Sequence, residues 1–295
     1  MYQALVLLSC HHSPALAWAD AVIKQCRATG QVVPASFLTS WAHNCGTVSP
    51  NQALKVIHMV RAHRHHYQLE LDLSNYGDLL AIRYHCHDNI SRQKEALNCI
   101  RAIKNSMDTW GVLNSTEAFN LVLKAVVAIP AVGAHYTTYN DMTSSHVDPD
   151  LQTFHLLLDG TLAEGSVKNT KKAAYYLWRS LMKEWPRVRP DVELVNKFIR
   201  CCVVCGDAER GLVFLSALSD CSVEPDVQTF TLLLELCHST NQRESFESVL
   251  KLAEHCLPDE APQVRTLAHE LQRQWRAQED ISLVQGILSH LDTSI

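Results

Sequence analysis

Cys202 and Cys205 stand three residues apart, the spacing of half a zinc or redox site. No second C-x-x-C and no ordered Cys/His pair follows at ligand spacing, and the two lie inside an apolar helical run. Both are therefore expected to pack as core residues. His85-Cys86-His87 are consecutive, so on a helix their side chains point in different directions and cannot chelate alone. The 16 histidines are dispersed, and no P-loop, G-x-G-x-x-G, G-x-S-x-G or H-E-x-x-H motif occurs. No catalytic residue, metal, cofactor or small-molecule substrate is expected. The stronger chemical signal is charge. From Lys168 to Arg189, the bases Lys168, Lys171, Lys172, Arg179, Lys183, Arg187 and Arg189 face one acid, Glu184, with Tyr175, Tyr176, Trp178 and Trp185 interleaved. Phosphate neutralisation with stacking is what an RNA contact requires. Helical spacing puts Leu177, Trp178 and Leu181 in the core, so the lysines and arginines are the side chains expected at the surface. A second cluster, Arg61-Ala62-His63-Arg64-His65-His66, is weaker because histidine is largely neutral at pH 7.

The elements that hold these residues must come from a chain of 295 residues, 47% hydrophobic and 19% charged. That composition buries a sizeable core and excludes wholesale disorder. Ten glycines and ten prolines are few for a fold built on tight β-turns. The net charge of -5 disfavours a generally basic nucleic-acid coat, but not a local basic patch. Eleven cysteines, including Cys26, Cys99, Cys201, Cys202 and Cys237 in apolar helical stretches, read as small hydrophobes in a reducing compartment rather than as disulfides. No apolar run approaches the roughly 18 residues of a membrane span. Ala17-Trp18-Ala19 resembles a signal-peptidase site. No Lys or Arg precedes it, however, and His11-His12 interrupts the apolar stretch, so a secretory signal is not expected. The first basic residue is Lys24, and no cleavable organelle presequence is visible.

The chain repeats itself. Val147-Asp148-Pro149-Asp150-Leu151-Gln152-Thr153-Phe154, Val188 to Val195 and Val223-Glu224-Pro225-Asp226-Val227-Gln228-Thr229-Phe230 all read V-x-P-D followed by an apolar helical run. Pro190 and Pro225 are 35 residues apart, and Pro149 and Pro190 are 41 apart. Proline cannot continue a helix and pushes its predecessor out of αR, so V-x-Pro ends one element. The following Asp is a good N-cap for the next. Each unit then predicts two helices. The first closes near Gly206 in the clearest copy, and the second runs over Ala208–Leu218 there and Ala173–Met182 in another.

This pattern resembles the pentatricopeptide repeat family, whose 35-residue helix–turn–helix has a P-D junction, an early aromatic and an Ala-Leu opening the second helix. Val192–Asp226 and Thr116–Asp150 match in length, the former with Gly211 where alanine is usual and the latter with Phe119-Asn120 in the family's Tyr-Asn place. Leu151–Asp191 fits with about four extra residues near Ser166–Thr170 and two near Trp185–Val188. Val227 to about Ala261 follows. Upstream, Leu73–Ser115 (Tyr76, Glu95-Ala96-Leu97), Pro34–Asp72 (Phe37, Gln52-Ala53-Leu54) and Met1–Val33 are weaker copies. The resemblance implies an all-α, right-handed α-solenoid of about seven repeats. Residues 1–115 would be degenerate repeats, 116–261 clear ones, and 262–295 helical capping segments carrying Leu267, Leu271 and Trp275, then Ile281, Val284, Ile287, Leu288 and Leu291.

Repeats of this kind can read single-stranded RNA one base at a time. The resemblance implies that the residue after the early aromatic and the closing Asp share a base edge, and it associates an Asn/Asp pair with uracil. Asn120 with Asp150 and Asn196 with Asp226 qualify. His155 with Asp191 lies outside the usual code, and Thr231 has no clear partner. The position two before the aromatic, normally aliphatic, holds Glu117, Gln152, Glu193 and Gln228, poor wedges against a base. The resemblance therefore implies first a non-catalytic scaffold subunit of an organellar ribonucleoprotein, ribosome-associated and in the mitochondrial matrix. Its partners would be RNA and other subunits, with no membrane contact. A sequence-specific factor for an organellar transcript, or a protein-only adaptor, are the alternatives.

Overall fold

The computed structural model describes residues 71–81, 90–129 and 133–292, with a few isolated positions before them. The weak copies before Leu71 and the basic cluster at residues 61–66 lie outside the described residues. The chain forms two compact units, Met1–Glu164 and Gly165–Ile295. The fold is an all-α helical-repeat solenoid, with no strand among the described residues. The first unit carries α1 (Leu73–Leu80), α2 (Ile90–Thr109), α3 (Thr116–Val127), α4 (Ala134–Ser144) and α5 (Leu151–Ala163). The second carries α6 (Val167–Arg179), α7 (Val192–Cys205), α8 (Ala208–Asp220), α9 (Val227–Ser239), α10 (Arg243–Cys256) and α11 (Ala261–Asp292).

The first helix of each repeat starts where its cap residue says it should. Asp72, Ser115, Asp150, Asp191 and Asp226 precede α1, α3, α5, α7 and α9. Each accepts a hydrogen bond on its side chain from the backbone N–H three residues on: Asn75, Ala118, Thr153, Leu194 and Thr229. Such a cap satisfies an otherwise orphaned donor and contributes about 1 kcal/mol. Gly206 ends α7 with φ 63°, the left-handed conformation that glycine adopts without a Cβ penalty.

Burial follows the helical period. In the first unit Tyr76, Ile100, Ile103, Met107, Phe119 and Val122 form the interior, and the Tyr76 hydroxyl hydrogen-bonds Ser106 at 3.1 Å. In the second, Leu177, Leu194, Phe198, Phe214, Phe230 and Phe246 are buried, each worth roughly 1.5–3 kcal/mol relative to exposure. Cys99, Cys201, Cys202 and Cys237 are part of these interiors as free thiols. Gly211 has a packing reason. A Cβ there would come within 2.4 Å of Leu236 Cδ2, so glycine lets α8 settle onto α9.

Two expectations need correction. The second helix of the 41-residue copy begins at Val167, not Ala173, because the extra residues near Ser166–Thr170 join the front of the helix. It then continues as a π turn, Ser180–Glu184, closed by Trp185 N–H donating to Ser180 O at 3.1 Å. The tail is one helix, α11, packed on α9 and α10. Its buried stripe is Val264, Ala268, Leu271 and Trp275, with Leu267 half-buried. Ile281 is exposed, and the side chains of Val284, Ile287, Leu288 and Leu291 lie outside the described residues.

Candidate nucleic-acid interface

Asn120 sits on α3 and is 7% exposed. Its Nδ2 donates to Asp150 Oδ1 at 2.9 Å, across the junction to α5. The Thr153 hydroxyl completes the cluster, 2.8 Å from Asn120 Oδ1 and 2.8 Å from Asp150 Oδ1. Thr153 N–H also donates to Asp150 Oδ1, and Asp150 N–H returns a bond to Thr153 Oγ1. The second unit builds the same cluster. Asn196 Nδ2 donates to Asp226 Oδ1 at 3.0 Å, and Thr229 Oγ1 stands 2.7 Å from Asn196 Oδ1. Asn196 is 3% exposed.

The geometry settles the amide orientation. Each Asn carbonyl faces a hydroxyl, and each Asn nitrogen faces a carboxylate. One Nδ2 proton and the second carboxylate oxygen remain in each cluster, one donor and one acceptor. Burial works to raise the Asp150 carboxyl, but hydrogen bonds from Asn120 and Thr153 outweigh it and hold the group below its usual range. Asp226 is held down in the same way by Asn196 and Thr229. Both are ionised at neutral pH.

The structure thus brings Asn120 to Asp150 and Asn196 to Asp226. His155 is half-buried on α5 in the first unit. Asp191 caps α7 in the second, accepting from Leu194 N–H at 2.8 Å. Thr231 is half-buried on α9 and belongs to no such cluster among the described residues. Glu117, Gln152, Glu193 and Gln228 are all exposed, and Glu193 pairs with Lys197 at 3.5 Å. The missed members are Thr153 and Thr229. Their signal is a threonine three residues after the junction Asp in those two copies, where the copy between has Leu194.

The seven cations between Lys168 and Arg189 are all exposed. Lys171 is committed to Asp207 at 2.9 Å. The aromatics do not all turn inward as expected. Trp178 does, edge-on to Phe198 at 5.0 Å and against Phe214 at 4.8 Å. Tyr175 and Tyr176 point outward, 55% and 46% exposed, because they fall one to two residues out of phase with Leu177 and Leu181. Of the two cysteines expected in the core, Cys202 is buried, whereas Cys205 at the end of α7 is only half-buried. Burial pushes the Cys202 thiol up to about 12, and Cys205 donates to Val167 O at 3.3 Å. Among the described residues no group of three His, Cys, Asp or Glu could hold a metal, and no helix is long and apolar enough to cross a membrane.

Capped helical hairpins joined at P-D junctions define a helical-repeat protein, and comparison with solved structures says which kind. The maize pentatricopeptide repeat protein PPR10 aligns with a TM-score of 0.50 at 13% identity, covering 90% of this chain and 36% of that one. PPR10 in complex with an 18-nt psaJ RNA element aligns at 0.55 and 13%, covering 95% and 42%. The PPR domain of Arabidopsis thaliana protein-only RNase P 1 in complex with tRNA aligns at 0.47 and 13%, covering 61% of this chain and 93% of that one. On the PPR10 alignments the chain has the pentatricopeptide-repeat fold, and it spans less than half the length of the PPR10 chains it matches. No protein-family model and no curated protein sequence matches it.

Proposed function

We propose that this chain is a non-catalytic helical-repeat scaffold of a mitochondrial ribonucleoprotein, ribosome-associated in the matrix. It binds RNA through its basic segment and other subunits along its remaining surface. The observation that carries this reading is the concentration of seven exposed cations on and just after α6 in a chain of net charge -5. Repulsion from the rest of the chain argues against general coating of RNA, whereas a local cationic surface neutralises phosphates where it stands. The exposed Glu117, Gln152, Glu193 and Gln228 at the base-packing positions support a scaffold over a free-standing reader. PPR10, whose fold this chain shares, is solved in complex with an 18-nt psaJ RNA element, which supports an RNA-binding reading. Sedimentation of organelle lysate tests the proposal. The chain is expected in a ribosome-sized particle that nuclease treatment disperses, and migration as a small nuclease-resistant protein complex would refute it.

The two Asn–Asp–Thr clusters favour a second reading, a sequence-specific reader of single-stranded RNA. Each leaves one donor and one acceptor, the complement of a base edge offering a carbonyl and an N–H, as uracil does. Purified protein should then prefer a U-rich strand, and exchanging Asn196 and Asp226 should change the preferred base. Indifference to that exchange would eliminate base reading.

A further inference from the structure

The cations of α6 are not scattered over its surface. Lys168, Lys172, Tyr175, Tyr176 and Arg179 occur at i, i+4, i+7, i+8 and i+11, which is one face of a helix. Lys183 follows four residues later in the π turn. The opposite face, with Thr170, Ala173, Ala174 and Leu177, is buried. From Lys168 to Arg179 the stripe runs about 16 Å along the helix axis. No acid lies within it. Glu184, beyond its end, accepts from Ser180 Oγ at 2.6 Å. Lys171, whose charge Asp207 neutralises, lies at the edge of the stripe.

We propose that this exposed stripe of α6 is a sequence-independent binding surface for single-stranded RNA, with bases stacking on Tyr175 and Tyr176 and phosphates on Lys168, Lys172, Arg179 and Lys183. The inference rests on the RNA-binding reading above and deepens it, naming which residues of the basic segment take bases and which take phosphates, without using the Asn–Asp clusters. An acidic protein segment would be recognised through the cations alone. A nucleic acid uses both the cations and the two exposed rings, because every base has a face to stack and every phosphate a charge to neutralise. The ring of Tyr175 is already positioned. The Arg210 guanidinium lies 5.1 Å from its centroid, and Arg210 in turn stands 3.7 Å from Asp207. A ring held in this way loses little freedom when a base arrives.

The test is fluorescence anisotropy of the full chain with U-rich and A-rich single strands of about 15 nucleotides, a length within the range of single-strand site sizes. Reversing Lys168, Lys172 and Arg179 to Glu should weaken both strands alike and lower the magnitude of the salt slope by about 2, from roughly 0.7 per phosphate contact. The pair Tyr175→Ala and Tyr176→Ala should weaken both by about fivefold or more. The pair Tyr175→Phe and Tyr176→Phe keeps the rings and should bind as the parent does. Far-ultraviolet circular dichroism confirms that each variant is folded. If the parent binds but neither the charge reversal nor the alanine pair matters, the stripe is overturned while the RNA-binding reading stands. If charge reversal acts but the alanine pair does not, the surface is a charge patch suited to an acidic partner, and the proposal fails. If the parent binds neither strand, both readings fall together.

Discussion

Asn196 donates through Nδ2 to the carboxylate of Asp226 at 3.0 Å, joining the first helix of one repeat to the cap of the next. Asn120 and Asp150 repeat the relationship at 2.9 Å in the other unit. A buried amide in a helix interior needs partners for its carbonyl as well as its nitrogen. Thr153 and Thr229 supply the carbonyl's partner and the aspartates the nitrogen's, which ties the N-cap, the neighbouring helix and the residues that would face a base into one cluster.

Removing the hydroxyl should therefore cost more than a surface change. Thr229→Val keeps the shape and leaves the Asn196 carbonyl buried without its partner. A loss of about 1–3 kcal/mol in urea unfolding is expected, with the same sign for Thr153→Val. Leu194→Val, at the equivalent position without an Asn cluster, is expected to show only the smaller loss of a shortened side chain. Equal losses at all three sites would show that the hydroxyls contribute nothing as partners.

The carboxylates give the clusters an acid limit. Both Asp150 and Asp226 have folded-state values below the unfolded one, the net result of hydrogen bonds that outweigh burial. Their contribution is thus fully present above the unfolded value near 4 and is lost as pH falls through the depressed folded values. The double variant Asn120→Ala and Asn196→Ala removes the partner that depresses both. Its urea midpoint is expected to fall less steeply than the parent's below about pH 4, and parallel curves would contradict the assignment.

His135 makes a separate prediction at milder pH. It is buried on α4, and burial lowers its value to about 4. Glu164 Oε1, 3.6 Å from its Nδ1, would favour the imidazolium, but desolvation dominates. Between about 4 and 6.5 the unfolded chain binds a proton that the folded chain refuses, so stability is full above about 6.5 and declines as pH falls toward 4. The decline reaches at most about 3 kcal/mol. His135→Gln should flatten the curve between pH 7 and 4.5, and an unchanged slope would mean that another group titrates there.

Gly160 is the companion of that ring. A Cβ on Gly160 would approach three His135 ring atoms to 2.9–3.1 Å. Gly160→Ala gains about 1 kcal/mol of helix propensity but overpacks a rigid ring at a cost of about 1–3 kcal/mol, so a net loss is expected. With His135→Ala in the background, the same substitution should become stabilising. A cycle showing the two changes to be additive would rule out the contact.

The parts of this architecture that depend on local chemistry were readable from the sequence. Asp150, Asp191 and Asp226 cap helices because a carboxylate after proline has free N–H groups to accept from, and Gly206 takes a positive φ that other residues resist. Lys168 and Arg179 are exposed because long cationic side chains have no buried partner there. What depends on a neighbouring repeat was harder to see. Thr153 and Thr229 look like ordinary helical residues until Asn120 and Asn196 are placed 33 residues away in sequence beside them. The start of α6 at Val167 reflects how an insertion is absorbed, and the apolar pattern is equally compatible with a loop at Ser166–Thr170. The outward turn of Tyr175 and Tyr176 was implicit in the phase set by Leu177 and Leu181, but aromatic character pointed the other way.

The central claim is that this repeat array binds RNA, and a salt titration tests it most directly. The purified full chain is mixed with a labelled U-rich single strand, and anisotropy is followed from about 50 to 200 mM salt, a range over which several phosphate contacts change affinity by orders of magnitude. The expected result is saturable binding at low salt, with log affinity falling linearly in log salt at a slope equivalent to about four phosphate contacts, one for each stripe cation. Absence of binding at 50 mM, or an affinity indifferent to salt, would contradict it.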